Sequence, residues 1–173
     1  MMKPRQTDLL LRARRELSRV TPTPDDCGSL CDAACCRGGD GMWLFPGEAA
    51  LYESLSDPCF AVERADGNYD YDFLRCTHDG GGCDRETRPL ACRIFPCFPM
   101  AVRSPYTGRY TIRVTVDPRA ARVCPLLHEG SPAMSPRFRH AVRRAGRLLL
   151  RDRETRRYLI ETSDFLMELF RLV

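Results

Sequence analysis

Lysine is nearly absent. Only Lys3 breaks a set of 27 basic side chains that are otherwise arginine, and there is one tryptophan, Trp43, with three histidines in 173 residues. No window approaches the ~20 consecutive apolar residues of a membrane-spanning helix. Runs such as Leu148 to Leu150 are only a few residues long, so the chain is expected to be soluble and not to engage a membrane. Residues 1 to 20 scatter arginines and acids through their apolar positions and lack a small-residue cleavage site, which excludes a secretory signal there. A cytoplasmic protein is expected. No Cys-X-X-Cys occurs anywhere, which argues against a thioredoxin-like dithiol.

What the chain does have is cysteine, ten of them. One domain of this length, residues 1 to 173, can build a core without covalent staples. In reducing cytosol, closely spaced thiols read as metal ligands or redox groups and not as a disulfide frame.

The net charge of +4 is unevenly spread. Arginines concentrate in residues 3 to 19 and 135 to 157, whereas the cysteine-bearing middle is mildly acidic. Both ends have helical periodicity. Leu9, Leu10, Ala13, Leu17 and Val20 predict an amphipathic helix over 8–20 stopped by Thr21-Pro22. Ser135-Pro136 reads as N-cap and first helical residue of a basic helical segment over about 135–172, either one long helix or two consecutive ones with a polar break over 152–157. Nucleic-acid binding is not expected, because no aromatic-interleaved basic patch accompanies the arginines.

Between the ends, Ala49, Leu51, Tyr52 and Leu55 predict a short helix. Residues 60–63 and 69–75 flank Asp66-Gly67 as one hairpin, and residues 100–103 and 109–116 flank Ser104 to Gly108 as a second. The expected fold is therefore a small α+β domain, metal-stabilised, with helices at both ends, two short hairpins and an irregular cysteine-rich centre over about 27–125.

Cys27, Cys31, Cys35 and Cys36 fall within ten residues, between a Thr23-Pro24 helix start and a Gly38-Gly39 stop. On one helix Cys27, Cys31 and Cys35 form a stripe with Cys36 turned about 100° away. Eight residues of helix rise about 12 Å, whereas two sulfurs on one tetrahedral zinc lie within ~4 Å. Either the helix is broken, or the stripe serves two ions, or the centre is polynuclear. Downstream come Cys76, Cys83, Cys92, Cys97 and Cys124. Gly80 to Gly82 allow the chain to fold back between Cys76 and Cys83, while Arg88 and Arg93 place cations beside the thiolates.

The block Cys27-X3-Cys31-X3-Cys35-Cys36, followed by Cys76-X6-Cys83-Asp-Arg-Glu-Thr-Arg-Pro-Leu-Ala-Cys92-Arg-Ile-Phe-Pro, resembles the YkgJ-type cysteine-cluster family (CxxCxxCC), described as a zinc- or iron-chelating domain. The first block here has three-residue gaps where that family's pattern has two, and Cys59 and Cys97 have no place in the pattern. Cys97 could be a spare ligand and Cys59 reads as a bystander. Carried over, the resemblance implies Cys27, Cys31, Cys35, Cys36, Cys76, Cys83, Cys92 and Cys124 as metal ligands. His78, between Cys76 and Cys83, could replace a thiolate. A related cluster occurs in flagellin lysine-N-methylases.

The function expected is a non-enzymatic metal-binding protein holding zinc or an iron–sulfur cluster, with the metal ion as its partner. The alternative is an enzyme or enzyme subunit whose iron–sulfur cluster serves redox or methyl-transfer chemistry. No catalytic constellation stands out. Asp70, Asp72 and Asp79 read as turn and hairpin residues, His128 and His140 as solvated, and Trp43 as a core anchor.

Overall fold

The computed structural model describes residues 4–24, 27–37, 41–53, 60–65, 71–77, 85–128 and 133–172. The fold is α+β, with helices at both ends and antiparallel strands between them.

The first helix, α1 (Pro4–Leu17), starts four residues before the expected boundary. It buries Leu9, Leu10, Ala13 and Leu17, the apolar stripe of the sequence, and packs along α6 (Pro136–Leu149). Burying each large aliphatic side chain there is worth about 1.5–3 kcal/mol. An exposed pair, Arg144 with Glu16 at 2.6 Å, lies across the same contact. Helix α6 begins at Pro136 as expected, and Ser135 occupies the N-cap without a side-chain cap bond.

The basic C-terminal segment is two helices. Asp152 accepts hydrogen bonds from the N–H groups of Glu154 and Thr155, at 2.9 and 3.1 Å, and so caps a new helix, α7 (Arg153–Leu172). The polar stretch that reads as a break is in fact the cap and first turn of this helix, because Asp152 satisfies donors that every helix start leaves open. Buried Gln6 joins the elements here: its amide donates to Pro46 O at 3.2 Å and to Glu154 at 3.0 Å.

The second hairpin pairs β4 (Cys97–Arg103) with β5 (Tyr110–Val116), in register from Cys97–Val116 to Arg103–Tyr110. The first strand starts three residues earlier than its apolar pattern suggests, and its first five residues are all buried, since β4 contacts both α6 and α7. Ala101 N–H donates to Ser163 of α7 at 2.8 Å. Gly146 sets the approach of α6 to this hairpin, for a Cβ there would stand 2.7 Å from Pro99 Cβ and 3.1 Å from Ile112.

The first hairpin also forms. Strand β2 (Phe60–Glu63) pairs antiparallel with β3 (Phe73–Cys76), with Glu63 opposite Phe73, while its Asp66-Gly67 turn lies outside the described residues. A two-residue strand, β1 (Met42–Trp43), adds to the other edge of β3. Gly41 makes that edge possible, at φ +91° and with Leu74 O only 2.0 Å from where a Cβ would sit. Leu44, Ala49, Tyr52 and Leu74 form a small separate core between this sheet and α4 (Ala49–Glu53).

Candidate metal centre

The first cysteine block does not form one helix. Cys27–Cys31 is a single turn, α2, and Ala34–Arg37 a second, α3. Between them Asp32 and Ala33 both adopt left-handed backbone, φ 51° and 50°. The Ala33 N–H donates back to Gly28 O at 2.9 Å, the wide bond that closes a helix over a left-handed residue, and Cys36 N–H then donates to Ala33 O at 2.7 Å. Asp is among the few non-glycine residues that tolerate this region, but Ala is not. The break removes the straight-helix rise that would hold Cys27 and Cys35 apart. The stripe of three thiols is thus corrected to two short turns, one carrying Cys27 and Cys31 and the other Cys35 and Cys36.

The remaining described cysteines arrive from elsewhere. Cys76 ends β3, Cys92 sits in the middle of α5 (Leu90–Ile94), Cys97 opens β4, and Cys124 precedes the short 3-10 turn Pro125–Leu127. All eight line one cavity of about 490 Å³, with Arg85, Arg88, Arg93 and Arg119 in its wall and the aromatic rings of Trp43, Phe73 and Tyr158 beside them. Cys97 and Cys124 are buried, Cys35 is exposed, and the others are half-buried.

The electrostatics show which sulfurs are neighbours. A hydrogen bond with Cys36, then burial, then repulsion from Cys36, Cys92 and Cys31 push the Cys35 thiol far above its ordinary range. Burial raises Cys124, offset in part by the Leu126 N–H and reinforced by Cys31. Cys97 is pushed up to about 11 by burial, with Arg139 acting against it and Asp117 and Cys124 with it. Thiols from both sequence blocks therefore interact within one space. Among the described residues, however, no group of three or more His, Cys, Asp or Glu side chains is placed to hold a metal ion. Cys83, His78 and Cys59 lie outside the described residues.

Two thioethers join the thiols. Cys92 Sγ–H donates to Met42 Sδ at 3.1 Å, and Cys97 Sγ–H to Met134 Sδ at 3.1 Å. Met42 itself lines the cavity. Neither methionine is marked by any sequence pattern; only strand β1 and the segment before α6 bring them in. Trp43 is half-buried against the core, edge-on to Phe73 at 5.1 Å.

The helix bearing Cys92 is held from behind. Glu48, fully buried, accepts hydrogen bonds from Leu90 N–H at 2.7 Å, Phe45 N–H at 3.3 Å and Arg14 at 2.9 Å. Arg14 also donates to the Tyr52 hydroxyl at 2.7 Å, which donates onward to Thr87 O at 2.8 Å. Burial pushes the Glu48 carboxyl up, while Arg14 and the two backbone donors pull it down.

Arg93 gives its guanidinium to the carbonyls of Arg88 (2.9 Å), Glu86 and Arg14, and Arg119 pairs with Asp117 at 2.6 Å. These arginines fasten the loops around the cavity as well as adding positive charge to its wall. His128 and His140 are exposed, and Asp72 serves the hairpin, accepting from Arg64 and from Ala65 N–H. No family model matches the chain, and no curated protein or solved structure matches it.

Proposed function

We propose that the chain is a non-enzymatic metal-binding protein of the cysteine-cluster kind, working in the cytoplasm and holding zinc or an iron–sulfur centre in the thiol-lined cavity. The observation that carries the reading is the convergence of eight cysteines, from separate helices, strands and a loop, on one cavity. Free cysteine is often a core residue, but cysteines used only for packing have no reason to face one another. The YkgJ-type pattern supports the same reading. Cys27, Cys31, Cys35, Cys36, Cys76, Cys92 and Cys124, with Cys83, are the ligands proposed. Metal uptake requires thiolates, so each ligand gives its proton to solvent, and the arginines in the wall offset the charge that remains. Among the described residues no helix is long and apolar enough to cross a membrane.

Purification with and without air, followed by elemental analysis and a visible spectrum, tests the proposal. Expected is either a colourless protein with about two zinc per chain or a coloured iron–sulfur protein. A folded, metal-free chain under both conditions overturns it.

The aromatic wall formed by Trp43, Phe73 and Tyr158 favours one second reading, an enzyme or enzyme subunit whose iron–sulfur cluster serves redox or methyl-transfer chemistry on a small molecule seated there. Cys92→Ser separates the two. Loss of folding together with metal favours a structural centre, whereas retained folding with lost metal favours the enzyme.

A further inference from the structure

The donors around the cavity are unusually uniform. Besides eight thiols it has the Met42 thioether, and a second thioether, Met134, lies against Cys97. Among the described lining residues there is no histidine. The one carboxylate among the described lining residues is Asp117, which is engaged by Arg119 through both oxygens, at 2.9 and 2.6 Å, and by the Arg119 N–H. Among the described residues the donors that face the cavity are therefore mostly sulfur.

Thiolates suit Cu(I), zinc and iron–sulfur centres alike; the thioethers tip the set toward Cu(I), because zinc takes cysteine, histidine and carboxylate ligands and not methionine. Zinc in structural sites asks for four ligands in a tetrahedron. A monovalent d10 ion is satisfied by linear or trigonal sulfur, so a thiol–thioether pair with one further thiol suffices. The two Cys–Met pairs already have their sulfurs 3.1 Å apart, linked by the thiol proton. Methionine is unbranched and flexible enough to move aside as an ion enters. A monovalent ion also leaves more negative charge on its thiolates than zinc does, and Arg85, Arg88 and Arg93 of the wall answer that charge.

We propose that the cavity binds Cu(I) through the pairs Cys92–Met42 and Cys97–Met134. This rests on the metal-chelating reading and adds to it a metal class and two thioether ligands. On binding, each thiol releases its proton to the buffer and the ion takes the proton's place between thiolate and thioether. No change of oxidation state is involved.

The test is an anaerobic titration of the metal-free full chain with Cu(I) against a chromogenic Cu(I) chelator, with a parallel Zn(II) titration, on wild type and on the double variant Met42→Leu, Met134→Leu. Leucine keeps the volume of methionine, so the fold is retained, and a thermal melt checks this. Expected is a roughly 10- to 100-fold loss of Cu(I) affinity in the variant, the range seen when a group that tunes a metal site is removed, with Zn(II) affinity unchanged. Equal Cu(I) affinity in variant and wild type overturns the thioether sites and leaves metal chelation standing. A parallel fall in both affinities also overturns them, since the methionines then act through packing. Failure of wild type to take up either ion, with no metal retained on purification, overturns both readings.

Discussion

The Glu48 carboxylate lies 2.7 Å from the backbone N–H of Leu90, a contact spanning 42 residues of sequence. It serves the open first turn of the helix that carries Cys92, and Arg14 from α1 neutralises it at 2.9 Å. Three parts of the chain thus meet behind the cavity. Such a buried pair contributes little net stability, because desolvation offsets the attraction, but losing one partner strands the other.

Glu48→Ala is accordingly expected to cost about 3–5 kcal/mol, read as a lowered urea midpoint with unchanged slope. The same variant should lose metal content, because the first turn of the Cys92 helix loses its anchor. A change below about 1 kcal/mol would mean that the network is replaceable by water.

Ala33→Gly should act in the opposite direction. Alanine at φ 50° pays about 1–2 kcal/mol for left-handed backbone, while glycine costs about 0.4–1 kcal/mol through the freer unfolded chain. The first effect wins, and stability should rise by up to about 1.5 kcal/mol with metal binding intact. Destabilisation on thermal melting would show that the break between the two cysteine turns carries no strain.

The buried thiols make the metal-free chain sensitive to alkali. Cys97 titrates at about 11 in the folded state against an ordinary 9.0, so between those values the folded chain holds more protons than the unfolded one. Stability is then fully present below pH 9 and is lost as pH rises toward 11. Cys35 and Cys124 are raised too and add to the loss. Denaturant midpoints measured across this range should fall, and Cys97→Ala should flatten the dependence. A midpoint that rises with pH would contradict the assignment.

The terminal helices were legible because a helix buried on one side records its partner in its own apolar spacing, as Leu10, Ala13 and Leu17 do. Both hairpins were legible for a similar reason, since alternation and a Gly-bearing turn are local signals. The two-turn shape of the first cysteine block was not. Cys-Asp-Ala-Ala-Cys contains no glycine or proline to mark its two left-handed residues. The cavity was half legible: the clustering of cysteines marked it, but the inclusion of Cys97 and Met42 and the support from Glu48 depend on contacts between distant segments. A buried glutamate just before a short helix reads in sequence as one more surface acid.

Cys31 acts electrostatically on Cys124 across the cavity, although more than half of the chain lies between them. An ion gripping both closes that stretch into a loop, and because closure entropy grows only slowly with length, so distant a pair is almost as easy to join as a near one. A loop that stays closed after the helices melt also confines the unfolded chain, as a disulfide does. The lifetime of the loaded protein is then governed by how fast sulfur lets go of metal, a kinetic quantity that helix and sheet packing alone do not set.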